Sequence, residues 1–327
     1  MVGKRSIGVV LGILFLTVTG GVLFGEPVRI GYVNVMDDAS VLVAYEGGFY
    51  GDRGLEPRLT QFASGTDMVK AIVGGRIDVG VLGFTNALTW ASRGASLRIV
   101  GGAQRGYHSL LARRDTGITD VSELHGRELA SQKQGSTADI VLSNVLLADS
   151  GLSKRDLNMR HVSPAVAVQA LVSGGVDAAF LFEPYARIAR YTAPVREIAE
   201  VGDYWPFPCM VVITSAETWQ ENRSTIESVL EAQKEAIALL EGDPNQAAGM
   251  ITHYFMAEET LETPSGPVPA RRVVAEAIEA NTFSWRLTSE DLERIKEVEE
   301  MMHDEGLLAQ RVDLEQLLDM SWQQAIR

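Results

Sequence analysis

VKAIVGGRID, residues 69–78, returns 99 positions later as VQALVSGGVD, residues 168–177. Val69, Ala71, Val73, Gly75 and Asp78 align with Val168, Ala170, Val172, Gly174 and Asp177. Each copy reads as the end of an apolar helix, a glycine stop, and a strand that opens on aspartate. A common helix–turn–strand recipe can arise twice by convergence, so the flanking segments decide. Upstream and through the first copy the pattern predicts strands over 28–33, 58–62, 77–82 and 97–100. Helices over 41–50, 66–73 and 85–93 alternate with them. Around the second copy it predicts strands over 128–131, 157–162, 176–182 and 195–201, helices over 136–148 and 165–172, and another helix opened by Pro184. Such alternation specifies a mostly parallel sheet covered by helices on both faces. Two similar α/β lobes are therefore expected.

The last third changes character. After a strand over 209–214, helical periodicity runs through 224–241, 244–256, 269–280 and 289–303, with start signals at Asp243-Pro244 and Thr288-Ser289-Glu290. A tail so poor in strands is expected to pack back on the first lobe. The expected division is a leader at 1–25, a discontinuous first lobe at 27–106 and 209–327, and a second lobe at 107–208. The glycine-rich stretch 101–106 reads as the connector between lobes.

Composition narrows the function. The chain has 327 residues, 46 % of them hydrophobic and 22 % charged, enough for two cores. Lys4 and Arg5 precede an apolar run over 7–24, the form of a secretory signal. Export to the periplasm or cell envelope follows, with an uncleaved membrane tether as the alternative. Cys209 is the only cysteine, so neither an intrachain disulfide nor a cysteine cluster is available. A net charge of −14 argues against nucleic acid and anionic lipid as partners, while a helix N-terminus can still hold an anion locally. The five histidines, His108, His125, His161, His253 and His303, are scattered, and no GxSxG, HExxH or phosphate-loop motif occurs. No catalytic residue, metal site or cofactor is expected, and Cys209 reads as a packed thiol.

Binding is the better reading. In open α/β sheets ligands sit beyond the carboxyl ends of the strands. There the sequence places Asn34; Ser64, Gly65 and Thr66; Phe84 and Thr85; and Gly135, Ser136 and Thr137. Most of these lead into helix starts, where backbone N–H groups and a hydroxyl can meet an acceptor. Phe84, Phe182, Tyr185, Trp205 and Phe207 offer aromatic faces. Glu183 reads either as an acceptor for a ligand N–H or as an acid stabilised at a helix start.

These segments together resemble the nitrate/sulfonate/taurine substrate-binding family of ABC importers, which includes binders of thiamine-pyrimidine precursors. The resemblance is carried by Gln61-Phe62 with Gly65 and by residues 71–80. In the second lobe it is carried by Gly135-Ser136, Gly151-Leu152, Ala170-Leu171 through Gly174, Val176-Asp177-Ala178 and Phe182-Glu183-Pro184. It spans about 27–255. It implies a two-lobe periplasmic-binding-protein fold of type II, closure on a small solute, and delivery by a monomer to the transmembrane subunits of a permease. Mapped by motif, it places the ligand near Asn34, Ser64, Gly65, Thr66, Phe84, Thr85, Gly135, Ser136, Thr137, Phe182 and Glu183. Phe182 departs from the Trp that sulfonate binders often show there, and a single cysteine departs from the cysteine-rich motif of the branch that makes a thiamine pyrimidine. With the aromatics and Glu183, the expected solute is organic and ring-bearing, such as a heterocyclic vitamin precursor, with a sulfonate, taurine or nitrate as the alternative. An enzyme on the same fold and a ligand-sensing module are the rivals.

Overall fold

A computed structural model describes residues 26–326. The expected leader at 1–25 lies outside the described residues. No helix among them is long and apolar enough to cross a membrane. The strands are β1 (Glu26–Val33), β2 (Leu55–Phe62), β3 (Val79–Gly83), β4 (Leu97–Arg105), β5 (Ser109–Arg113), β6 (Glu128–Ser131) and β7 (Asn158–His161). They continue with β8 (Ala178–Leu181), β9 (Val195–Glu200), β10 (Met210–Ser215), β11 (Thr260–Leu261), β12 (Val268–Pro269) and β13 (Thr282–Phe283).

Two sheets with one plan result. In the first, order β13-β4-β10-β3-β1-β2, β1 is parallel to β2 and β3, and β10 lies antiparallel between β3 and β4. In the second, order β7-β6-β8-β5-β9, β6 is parallel to β7 and β8, and β5 lies antiparallel between β8 and β9. Helices cover both faces, which is why β3 and β8 are apolar without alternation and buried throughout. β11 and β12 form a separate ribbon.

The sequence repeat has a physical cause. Asp78 accepts from the Arg29 amide at 2.7 Å, and Asp177 accepts from the Glu128 amide at 3.0 Å. The Asp78 and Asp177 amides donate back to the Arg29 and Glu128 carbonyls, each at 2.9 Å. Each aspartate thus clamps its strand to a parallel neighbour in its own sheet, 49 residues upstream. Gly75 and Gly174 sit at φ +66° and +78°, where a side chain would be strained. The same helix ending and the same register clamp are built twice.

The four tail helices fall at Arg223–Gly242, Pro244–Phe255, Ala270–Glu279 and Ser289–Asp304, close to expectation. The first two pack on helix Ala39–Glu46, the third on the second, and the fourth on helix Phe84–Ala91. Three local readings need correction. The helix expected over 41–50 is Ala39–Glu46, stopped by Gly47. The helix expected over 136–148 begins at Thr137 but passes into a π-helical turn, Leu142–Leu147. Residues 101–105 are not a connector but the second half of β4, where a Cβ at Gly102 would stand 2.5 Å from the Ser284 carbonyl oxygen. The chain crosses between sheets at 106–108 and returns at 201–209. The Gly106 amide donates to the Phe207 carbonyl at 2.7 Å, and a Cβ at Gly106 would strike the Phe207 ring.

Candidate functional site

Between the sheets lies a cavity of about 490 Å³. Three serines on its lining each cap a helix. Ser64 accepts from the Asp67 amide ahead of Gly65–Val73, at 3.2 Å. Ser136 accepts from the Asp139 amide ahead of Thr137–Val141, at 3.2 Å. Ser163 accepts from the Val166 amide ahead of Pro164–Ser173, at 3.4 Å. Capping orients each serine at the opening of its helix, where free backbone N–H groups and the positive end of the macrodipole attract an anion. Lys133 and His161 line the same cavity from an exposed position. Val33, Val35, Leu82, Val162, Phe182 and Met210 supply its apolar wall.

Of the residues singled out in the sequence, Ser64, Gly65, Ser136, Thr137 and Phe182 line this cavity. Thr85 lies behind it, fully buried, and its hydroxyl meets that of Thr137 at 2.9 Å across the two sheets. Thr66 turns its hydroxyl to Asn86 at 3.2 Å. Asn34 is not a lining residue: its amide donates to the Tyr254 carbonyl, tying the end of β1 to the tail. Phe84 is fully buried in the core beneath its helix. Gly135, at φ +78°, shapes the loop and donates to Asp139 at 2.9 Å.

Of its two readings, Glu183 matches the acid at a helix start. It is buried outside the lining, accepts from the Arg187 amide at 2.9 Å and pairs with Arg190 at 3.3 Å. Burial pushes its carboxyl up against those two arginines. Its hydrogen bond and ion pair go to Arg187 and Arg190, not to the cavity lining. Of the five aromatics expected in the cleft only Phe182 is a lining residue. Trp205 packs under the Arg294 guanidinium, Tyr185 meets the edge of Phe182, and Phe207 is buried. Arg105 is spent on Asp291, at 2.9 Å.

Lys133 and Ser163 were not singled out in the sequence, and His161 was named only among the scattered histidines. Ser163 had a signal, because it stands 99 positions after Ser64. Asp37 was not singled out, and His108 and Cys209 were read only as a scattered histidine and a packed thiol. Asp37, His108 and Cys209 present ligand atoms all within 4.8 Å of one another, and all three are buried. Burial, then the charge of Glu183, lifts the Asp37 carboxyl to about 7. Burial lowers the His108 imidazole to about 4. Burial, then Asp37 and Asp38, pushes the Cys209 thiol well up. The thiol is therefore held protonated, the opposite of an activated nucleophile.

Two sheets of like topology, joined by two crossings with a cavity between them, make the periplasmic-binding-protein fold. The chain belongs to the NMT1-like family, whose sequence profile matches residues 25–254. A protein of Brucella abortus (strain 2308), provisionally named a binding protein, is 24 % identical over 243 residues, covering 72 % of this chain and 74 % of its own. The crystal structure of the periplasmic aliphatic sulphonate binding protein from Escherichia coli superposes with a TM-score of 0.76 at 23 % identity, over 89 % of this chain and 96 % of its own. The periplasmic nitrate-binding protein from Synechocystis PCC 6803 superposes with a TM-score of 0.69 at 14 % identity, over 92 % and 88 % of the two chains.

Proposed function

We propose that the chain is the exported solute-binding component of an ABC importer, and that its solute is a small organic anion of the sulfonate class with an apolar body. The observation that carries this is the convergence of Ser64, Ser136 and Ser163, each capping a helix, with Lys133 on one cavity that also carries the apolar side chains of Val33, Val35, Leu82, Val162, Phe182 and Met210. Helix starts and an ammonium suit a tetrahedral anionic head, and Val33, Leu82, Phe182 and Met210 suit a hydrocarbon tail. This departs from the heterocycle favoured by the sequence, because Glu183 and most of the aromatics lie elsewhere. The sulfonate-binding relative supports the same class.

In this reading the residues 27–106 with 209–327, and the residues 107–208, are two lobes that close on the solute, and a permease accepts the closed form from a monomer. The solute is released unchanged in this reading. Titration calorimetry of the purified chain with ethane- to octanesulfonate, nitrate and an aminopyrimidine tests it, beside solution scattering with and without ligand. A sulfonate is expected to bind most tightly and to compact the chain. Preference for the pyrimidine or for nitrate, or steady product formation, would refute it.

A further inference from the structure

His108 sits on the outgoing crossing between the sheets, Cys209 at the end of the returning one, and Asp37 in the helical turn Met36–Asp38 that follows β1. Their side chains meet at the cavity lining, buried to 2 %, 3 % and 1 % exposure. Cys209 Sγ donates to Asp37 Oδ2 only at the long limit of a sulfur hydrogen bond, 4.0 Å. Asp37 Oδ1 and His108 Nδ1 have no hydrogen-bond partner. Asp38, packed beside them, also leaves one carboxylate oxygen unpartnered. Buried polar atoms are almost always satisfied, so this many at one point implies a missing partner. No cationic side chain pairs with Asp37 or Asp38 among the described residues.

We propose that Asp37, His108 and Cys209 bind one zinc-type divalent cation at the base of the cavity. Carboxylate, imidazole and thiolate together match a borderline-soft ion better than calcium or magnesium, which take oxygen. Bonds of about 2.0–2.3 Å at tetrahedral angles hold donor atoms roughly 3.3–3.6 Å apart. The observed separations therefore contract by no more than about 1.5 Å on binding. On binding, the Cys209 S–H bond breaks, its electron pair forms the sulfur–metal bond and the proton leaves to solvent. Three protein ligands leave a fourth position, which opens on the cavity and holds water or a solute oxygen. The site joins both crossings to the first sheet, so the ion would stiffen the hinge on which closure turns. A site assembled from three segments this far apart leaves no spacing motif, so its presence runs against the sequence reading of no metal.

Cobalt(II) titration of the full chain, stripped with chelator and free of any affinity tag, tests this. The expected result is one equivalent bound, with a thiolate-to-cobalt charge-transfer band in the near ultraviolet, intense tetrahedral bands in the visible, and displacement by zinc. Cys209→Ser is expected to abolish the charge-transfer band. Asp37→Asn and His108→Phe are expected to weaken affinity at least about tenfold. Because these positions are buried, zinc-edge X-ray absorption on the unaltered chain gives a measurement free of folding effects, with one sulfur and otherwise nitrogen and oxygen neighbours expected. Absence of stoichiometric binding, a spectrum without sulfur, or folded variants that bind as the parent does would overturn the site. Sulfonate binding by the chelated chain, measured in parallel, separates this outcome from the fate of the transport reading.

Discussion

The cavity wall from the first sheet carries Val33, Val35, Leu82 and Met210, with Ser64 and Asn86 as its uncharged hydrogen-bonding side chains. The wall across from it carries Lys133, His161, Ser136 and Ser163. Both walls are built from the same elements in the same order, and Ser64 and Ser163 are equivalent positions. The asymmetry comes from what the shared scaffold leaves free. The loop before Thr137–Val141 adds Lys133 and a second capped helix to the far wall, whereas the end of β1 turns Asn34 away to the tail. In the proposed reading the charged head of a sulfonate faces the second sheet and its apolar body the first.

The sharpest way to break this comparison is to reverse the one exposed cation of the polar wall. A charge-assisted hydrogen bond contributes about 1.5–3 kcal/mol. Lys133→Glu removes it and adds repulsion, so sulfonate affinity should fall about a hundredfold with no change in melting temperature. Unchanged affinity in calorimetry would mean that the head does not face this wall. A smaller effect tests the equivalence of the serines. Losing an N-cap hydroxyl costs ~1 kcal/mol, so Ser64→Ala and Ser163→Ala should each lower stability by that amount in chemical denaturation. Each should also weaken sulfonate binding several-fold. An affinity loss at one serine and none at the other would show that one wall binds alone.

The same comparison explains what could be read in advance. Both walls rest on local grammar: a cap serine lies three residues from the amide that donates to it, and a register aspartate follows its glycine by three. The helices, most strands and five lining residues were legible for that reason. Glu183 misled because its partners Arg187 and Arg190 lie four and seven positions on, along one helix face, where an isolated acid reads as free. Asn34 and Tyr254, or Asp37 with His108 and Cys209, meet only because the sheets and tail are already folded, and no short-range pattern records it.

Behind the polar wall, at the end of β9, Glu200 accepts from the Ser109 hydroxyl at 2.5 Å. Burial raises its carboxyl from 4.5 to about 7, against the Ser109 and Gly202 donors and with Glu197 adding and Arg190 opposing. Tyr204 also faces it. Between pH 4.5 and about 7 the folded chain keeps a proton that the unfolded chain releases. Stability therefore falls as pH rises through that window. Glu200→Gln should flatten this fall. Melting temperatures at pH 5 and pH 8, compared between the chelated parent and variant, check it, and an identical pH profile would remove Glu200 as the cause.

The smallest expected effect lies outside the cavity, where the two walls are joined. Glu276, on the tail helix Ala270–Glu279, accepts from the Tyr191 hydroxyl at 2.9 and 2.8 Å through its two oxygens and from Arg272 at 2.8 Å. Arg187 stands 3.5 Å away. Tyr191 and Arg187 belong to the helix Tyr185–Thr192 of the second sheet, so this cluster bridges the two sides. Burial raises the Glu276 carboxyl, but the Arg272 and Tyr191 hydrogen bonds outweigh it and hold the group below the usual range. Partly exposed ion pairs contribute only ~0–1 kcal/mol. If both walls must come together to hold the solute, that energy appears in the bound state, because a contact made only when closed shifts the equilibrium toward closure. Glu276→Ala should then raise the sulfonate dissociation rate two- to fivefold in stopped-flow, an effect of under about 1 kcal/mol. The association rate should hardly change, since the open form lacks the contact. The difference between parent and variant should shrink at high salt, where screening weakens the Arg187 and Arg272 pairs while the neutral Tyr191 bond persists. An unchanged dissociation rate at low salt would show that the bridge is present whether or not the walls enclose a solute, and that they move independently of it.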